Sequence, residues 1–162
     1  MKHVHWLLAA SLCAPAVAAP APSKDIHGVT YANACSAAEL KRLRPDVLAQ
    51  AGEHAPEAAW DLVRLLMCGT GAGAEAAVMR HAPKRMAMRS EDTGGDGPVR
   101  SLEDTTPALL LANREVWDAN VSSDTDGEFS LTYLPNEACL RSLRLRFNGR
   151  GWLVVEIGDA CD

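Results

Sequence analysis

The 162-residue sequence predicts an α+β protein in which N-terminal helices are followed by a C-terminal antiparallel β-meander. Two observations support this order. Apolar residues recur at helical spacing up to about residue 80, and beyond about residue 128 they alternate with polar residues as strands require. A strong hairpin signal, Asn148-Gly149-Arg150-Gly151, separates the last two predicted strands.

The first predicted helix starts at a capping box, in which the Ser36 hydroxyl and the Glu39 carboxylate satisfy each other's backbone donors. Pro45 lies in the middle of this segment and is expected to kink it or to split it into two short helices. The apolar residues at helical spacing are Leu40, Leu43, Val47 and Leu48.

A second helix is predicted to begin at Pro56 and to end at Gly69. Its apolar face carries Trp60, Val63 and Met67. The run Gly69-Thr70-Gly71-Ala72-Gly73 is interpreted as a turn between helices. A phosphate-binding loop would follow a strand, whereas this run follows a helix. A third helix is predicted over residues 74–80.

The middle of the chain is predicted to hold a short strand over residues 85–89 and a polar loop over residues 90–98. Thr106 is the expected cap of a further helix with Pro107 at its first position. The apolar stripe expected on that helix consists of Leu110, Ala112 or Asn113, and Trp117.

The last third of the chain is predicted to form three strands. Phe129, Leu131 and Tyr133 alternate with polar residues in the first, and residues 152–157 form the last. In the middle strand the apolar residues are Leu143, Leu145 and Phe147. Because side chains alternate between faces, Arg144 and Arg146 are expected to form a basic strip on the outer face of the sheet.

Residues 1–18 resemble a secretory signal peptide. Lys2 provides a positive charge, a short apolar run follows, and Ala16-Val17-Ala18 is typical of a signal-peptidase site. The run is too short for a membrane span. Lipid attachment at Cys13 is disfavoured because Leu12 is too large for the usual lipobox. The predicted organisation is therefore a signal peptide (1–18), a flexible tail (19–34) and one α+β domain (35–162) in the periplasm or secreted medium.

Cleavage after Ala18 would remove Cys13 and leave an even number of cysteines in an oxidising compartment. The four that remain are Cys35, Cys68, Cys139 and Cys161. Four cysteines allow three pairings. The pairing Cys35–Cys68 with Cys139–Cys161 is favoured, because each bridge then joins segments that are neighbours in the predicted order. Metal binding is disfavoured because no metal-ligand spacing occurs.

The run from Leu143 to Ile157 resembles the closing hairpin of NTF2-like domains, in which a strand turns at a glycine and a tryptophan begins the last strand of a curved sheet. The order of helices and strands is similar as well. The resemblance implies a fold and no particular function, because NTF2-like proteins include enzymes, binding modules and members without a known ligand. No catalytic residue is carried over.

Charge is unevenly distributed along the chain. Between residues 91 and 128 ten acidic residues face two arginines, and residues 141–150 hold four arginines and no acid. These groups either solvate the surface and pair with one another or form a docking surface for a partner. The candidate partner-binding residues are Asp124, Asp126, Glu128, Arg144 and Arg146. The overall charge of −5 argues against a nucleic-acid partner.

The sequence offers candidate residues for three further kinds of site. A small-molecule pocket in a curved sheet would be lined by Trp117, Phe129, Tyr133 and Trp152, although an ordinary core is favoured for these residues because the mature chain has few other aromatics to build one. A calcium loop at Asp124–Glu128 would place Tyr133 where a bidentate glutamate is needed. The histidines of the mature chain, His27, His54 and His81, lie near the flexible start or near helix boundaries, where surface roles are usual.

These features predict an exported binding protein without a cofactor and without enzymatic activity. Its expected partner is another envelope or secreted protein, for example an enzyme or toxin that it restrains as an inhibitor or immunity protein. The alternative is an NTF2-like module that binds a small molecule. The sequence leaves the partner, the ligand and the oligomeric state open.

Overall fold

The computed structural model describes residues 23–24, 30–91 and 99–161, with side chains for residues 31–90 and 99–161. The predicted signal peptide with Cys13, the greater part of the predicted tail including His27, and residues 92–98 of the predicted polar loop lie outside the described residues. The α+β class is confirmed: helices precede a six-stranded, mostly antiparallel sheet.

Four described segments are α-helical, and a short 3₁₀ turn over Met79–His81 extends the third. The helices are α1 (Ala37–Ala51), α2 (Pro56–Cys68), α3 (Gly71–Val78) and α4 (Pro107–Leu110). Ser36 caps α1 by accepting a hydrogen bond from the Glu39 amide at 3.2 Å, as predicted. The Glu39 carboxylate does not complete the capping box, because it binds Arg42 at 2.6 Å instead.

The strands form one small and one large sheet. A two-stranded pair joins β1 (Ser23–Lys24) to β2 (Thr30–Tyr31). The large sheet contains β3 (Arg85–Glu91), β4 (Val99–Asp104), β5 (Trp117–Thr125), β6 (Glu128–Asn136), β7 (Cys139–Phe147) and β8 (Trp152–Cys161). Its spatial order is β4-β3-β8-β7-β6-β5, and β3 beside β8 is its parallel pair. The predicted meander is the antiparallel run from β6 to β8, and β5, which the sequence did not predict, extends it at one edge.

The hairpin between β7 and β8 turns where the sequence predicts. Gly149 has a φ of 84°, which favours glycine, and the Asn148 side-chain oxygen accepts from the amides of Arg150 and Gly151.

Helices α1 and α2 cover one face of the large sheet, and the core lies between these helices and the sheet. Leu43, Val47, Trp60, Val63 and Met67 are buried, as the helical spacing predicts. The sheet contributes alternate residues to the same core, namely Met86, Phe129, Leu131, Tyr133, Leu143, Leu145, Val154 and Ile157. We call the face of the sheet that carries these residues the covered face.

Both predicted disulfides are present. Cys35–Cys68 joins the segment before α1 to the last residue of α2, with a Cα–Cα distance of 5.7 Å. Cys139–Cys161 joins the first residue of β7 to the last residue of β8. Each bridge closes a loop of a few tens of residues, which in a chain-entropy account stabilises the fold by about 3 kcal/mol.

The helix predicted to carry Trp117 is much shorter than expected, and Trp117 lies on β5 instead. Thr106 caps it as predicted, with its hydroxyl accepting from Leu109, but it ends at Leu110. The next residues turn away because the amides of Ala112 and Arg114 donate to carbonyls of the last turn of α2. They satisfy acceptors that a helix end leaves unpaired, which is why the stripe from Leu110 to Trp117 does not form.

Pro45 does not split α1, which runs without interruption from Ala37 to Ala51. Pro45 and Lys41 are both exposed, so the hydrogen bond that Pro45 cannot donate to the Lys41 carbonyl is missing on the exposed side of α1.

Two further element boundaries differ from the sequence interpretation. Helix α3 begins at Gly71, three residues before the predicted start, so the turn between α2 and α3 is limited to Gly69 and Thr70. Residues at the end of the predicted tail are bound to β5. The Ala34 amide donates to the Val116 carbonyl, and the Asp118 amide donates to the Ala32 carbonyl. In return, the Ala32 amide donates to the Asp118 side chain.

Candidate functional site

The face of the sheet opposite the helices carries polar side chains at alternate positions of five neighbouring strands. We call it the polar face. It consists of Arg89 on β3, Asp124 on β5, Glu128, Ser130 and Thr132 on β6, Ser142, Arg144 and Arg146 on β7, and Glu156 and Gly158 on β8. The candidate residues Asp124, Glu128, Arg144 and Arg146 come from three strands and therefore meet on one surface.

Four charged side chains of the polar face form one continuous ion-pair network. Arg146 Nε donates to Glu128 Oε2 at 2.6 Å, and an Arg144 terminal nitrogen donates to Glu156 Oε2 at 3.0 Å. Arg144 Nε lies 3.3 Å from Glu128 Oε1, an ion-pair contact without hydrogen-bond alignment. Glu128 thus joins the two arginines, and the network crosses β6, β7 and β8.

The strand register explains this network. Glu128 is the cross-strand partner of Arg146, and Arg144 is the partner of Glu156. Side chains in such positions stand about 5 Å apart at Cβ, and diagonal neighbours remain within reach of long side chains. The hydrogen bond from Arg146 to Glu128 raises the pKa of Arg146. The basic strip expected from the sequence is therefore paired with acidic residues.

A shallow cleft runs along the polar face beside the network. One cavity of 230 Å³ is lined by Arg89, Asp124, Ser130, Thr132, Ser142, Arg144, Glu156 and Gly158. A second cavity of 140 Å³ adjoins it and shares Arg89, Thr132, Ser142 and Gly158 with the first. Hydroxyl groups and charges of both signs therefore surround a single depression.

Gly158 makes room in the centre of this cleft. A Cβ atom at that position would lie 2.5 Å from the Ser142 hydroxyl oxygen, so any larger residue would displace the hydroxyl. Ser142 donates across the strand pair to the Gly158 carbonyl at 3.5 Å. At the other side of the cleft Ser130 donates to Asp124 at 2.8 Å. Side-chain hydrogen bonds between neighbouring strands thus line the cleft.

Asp126 is separated from the other candidate residues. It lies in the turn between β5 and β6, and His54 Nε2 is 3.2 Å from its Oδ1. His54 belongs to the loop between α1 and α2, and its ring packs on Phe147 with a centroid distance of 5.2 Å. This contact joins the helical layer to the end of the sheet. Asp124–Glu128 accordingly forms a hairpin turn rather than an extended ligand loop.

Three of the four aromatic residues proposed to line a pocket are core residues. Phe129, Tyr133 and Trp152 are each no more than 1% exposed, and the rings of Phe129 and Trp152 lie 5.0 Å apart. Trp152 also donates its indole N–H to the His54 carbonyl at 2.6 Å. Trp117 is separate from them and lines an open surface groove of 430 Å³ with residues 135–138.

A second charged cluster lies on the covered face near the Cys139–Cys161 bridge. Arg141 binds Asp159 through two hydrogen bonds of 2.7 and 3.0 Å, and Tyr133 is the cross-strand partner of Arg141. Burial raises the pKa of Tyr133 to about 12, although the neighbouring Arg141 acts in the opposite direction. The Tyr133 hydroxyl is buried without an aligned hydrogen-bond partner. Sequence reasoning missed Arg141 and Asp159, which only the register between β7 and β8 pairs.

The two described histidines lie outside the polar face. His54 contacts Asp126, and His81 Nδ1 lies 3.0 Å from the Trp152 carbonyl oxygen at the start of β8. Within the described ranges no group of three or more His, Cys, Asp or Glu residues is arranged to hold a metal ion. None of the described helices has the length and apolar character needed to span a bilayer.

Comparison of the chain with protein-family models, with curated proteins and with solved structures found no match. The fold and the polar face therefore define the class on physical grounds alone: a disulfide-bonded α+β domain with helices on one face of its sheet and a charged cleft on the other.

Proposed function

We propose that this protein is an exported, non-enzymatic binding protein that docks another protein of the same compartment on its polar face. Two disulfides support a location in an oxidising compartment, where such bonds form and persist. The finer proposal is that the partner is an envelope enzyme or toxin and that binding restrains it, as an inhibitor or immunity protein would.

The observation that carries the proposal is the ion-pair network of the polar face. The side chains of Glu128 and Glu156 are only 11% and 17% exposed, and each is bound by an arginine. Charges held in this way are ordered before a partner arrives, so less conformational entropy is lost on binding. A fixed pattern of both signs favours a partner with the complementary pattern and opposes others.

The shape of the polar face supports a macromolecular partner. The cleft is shallow and lies in the middle of the sheet, between the network and the hydroxyls of Ser130, Thr132 and Ser142. A side chain or an extended loop of a partner could enter it while the surrounding charges contact the rim. The hydroxyls of Ser130 and Ser142 hydrogen-bond to Asp124 and to the Gly158 carbonyl, contacts that shape a surface for recognition.

The test compares capture of a partner by two variants that each add one arginine. Thr132→Arg places a long cation in the cleft, and Ala58→Arg places the same residue on the exposed surface of α2 as the control. Each oxidised protein serves as bait in envelope extract at moderate salt, and the dissociation constant of any stoichiometric partner is then measured by calorimetry.

The proposal expects one dominant partner that binds the wild type and Ala58→Arg equally and binds Thr132→Arg at least about tenfold more weakly. Equal binding by all three proteins would show that docking occurs elsewhere. No retained partner, together with a gain in thermal stability on adding a small ligand, would favour the small-molecule module instead.

A further inference from the structure

The β4 strand (Val99–Asp104) is one edge of the large sheet, and it is exposed along its whole length. It pairs with β3 on one side, and no described strand pairs with its other side. All six residues of β4 are exposed, including Val99 at 59% and Leu102 at 50%. An edge of this kind presents unpaired backbone groups to which another strand can bind.

The hydrogen-bond pattern identifies which backbone groups point outward. The Thr105 amide donates to the Lys84 carbonyl at 3.0 Å and continues the register in which Arg85 faces Asp104. Because bonded and non-bonded pairs alternate in an antiparallel ladder, the odd-numbered residues of β4 bond to β3. The amides and carbonyls of Arg100, Leu102 and Asp104 therefore face away from the sheet. The side chains of these three residues lie on the same side of the sheet as the polar face, since Leu102 pairs with Ala87 and Arg100 with Arg89.

Two copies of β4 can pair in a register that uses these outward groups and matches their side chains. In a two-fold antiparallel pairing centred on Leu102, Leu102 faces Leu102 of the second copy. Arg100 then faces Asp104 of the second copy, and the symmetry produces this ion pair twice. The half-exposed leucine becomes covered, and the flanking charges attract, which is the arrangement that stabilises cross-strand pairs.

One existing contact is compatible with this pairing. The Arg85 side chain donates to the Leu102 carbonyl at 2.7 Å. Arg85 lies 3.8 Å from Asp104, whose side chain is 93% exposed and therefore accessible to a second cation. A carbonyl oxygen accepts two hydrogen bonds, so the backbone donor of a second copy can bind beside Arg85.

We infer that this protein forms a symmetric dimer through β4, joining two six-stranded sheets into one continuous sheet. The two-fold axis is perpendicular to the sheet, so the polar faces of both copies lie on the same side. The inference concerns a surface other than the docking cleft, and it stands or falls independently of the proposed function.

The test is a charge reversal and its rescue, read by sedimentation equilibrium of the oxidised protein expressed from the full chain. The wild type is expected to dimerise reversibly between about 10 μM and about 1 mM, since a single strand pair forms a small interface. Arg100→Glu and Asp104→Arg each place like charges opposite one another twice, and each is expected to weaken the dimer by about tenfold or more. The double variant Arg100→Glu/Asp104→Arg restores opposite charges and is expected to recover the wild-type constant.

Arg150→Glu, in the exposed turn between β7 and β8, makes the same change of charge far along the sheet and serves as the control. It is expected to leave dimerisation unchanged. A wild type that remains monomeric at about 1 mM would overturn the inference. So would a dimer that the single variants do not weaken, or one that the double variant fails to restore, because a different surface would then hold the copies together.

Discussion

The two faces of the large sheet are built by the same strands, yet they differ in almost every physical property. On β6, Phe129, Leu131 and Tyr133 are buried under the helices, while Ser130 and Thr132 line the cleft on the other side. Because successive side chains alternate, a slip of one residue in register would exchange the two sets. The comparison shows that burial on the covered face defines the register, and that the register then arranges the charges on the polar face.

The two charged clusters extend this comparison. On the covered face, Arg141 and Asp159 form an isolated bidentate pair beside the buried Tyr133. On the polar face, Glu128 serves two arginines, and the network continues to Glu156. The Arg141–Asp159 pair lies at the end of the core near the Cys139–Cys161 bridge. The polar-face network leaves its arginines more open to solvent, with Arg146 53% exposed.

The largest effect on stability is expected from a substitution that creates a cavity under the covered face. Leu131→Ala removes a side chain with no exposed surface and is expected to reduce the free energy of unfolding by about 3 kcal/mol. Thr132→Ala, one residue along the strand and on the polar face, is expected to reduce it by less than about 1 kcal/mol. Urea unfolding measures both. Similar losses for the two variants would show that the polar face is also part of the stabilising core.

The next effect is a loss of stability at alkaline pH caused by Tyr133. Burial raises the pKa of Tyr133 from 10.0 to about 12. Below pH 10 the hydroxyl is protonated in both states. Between pH 10 and pH 12 the unfolded chain ionises to a greater extent than the folded chain, so the free energy of unfolding should fall by about 2 kcal/mol.

Tyr133→Phe tests this alkaline loss. Because the hydroxyl has no aligned partner, the variant should be close to wild-type stability at pH 7 and should lose little between pH 10 and pH 12. The measurement is urea unfolding with free thiols blocked. An equally steep alkaline loss in the phenylalanine variant would assign it to another group.

The smallest effect is expected in the polar-face network. Glu128→Gln removes the charge that Arg144 and Arg146 share and is expected to lower the free energy of unfolding by about 1 kcal/mol. Glu75→Gln, on an exposed position of α3, is the control and should change it by less than about 0.5 kcal/mol. If Glu128→Gln left stability unchanged, the network would contribute nothing measurable to folding.

Much of the fold was predictable because its signals are local. The Ser36 cap, Pro56 at the start of α2, the turn at Gly149 and the strand alternation around Leu131 and Leu143 all act within a few residues. The two edge strands were not predicted, because β4 is exposed throughout and β5 is mostly polar. Neither shows the apolar alternation that identifies a strand from sequence. The resemblance to NTF2-like domains remains a prediction.

The candidate site was predictable only in part. Alternation correctly placed Arg144 and Arg146 on the face opposite Leu143 and Leu145. Their pairing with Glu128 and Glu156 could not be read from the chain, since it depends on how β6 and β8 align with β7. Asp126 was grouped with Asp124 and Glu128 by proximity in sequence, whereas the hairpin turn directs it to His54.

By itself, the sequence determined the α+β order, the main helices, the strands from Phe129 onward and the favoured pairing of the cysteines. Helix caps, turn residues and apolar periodicity act over short distances along the chain, so they can be recognised from the sequence. The tertiary structure alone decided the parallel contact of β3 with β8, the exposed edge at β4 and the charge pairs of the polar face. These depend on the alignment of strands distant in sequence, which only the packing of the whole core sets.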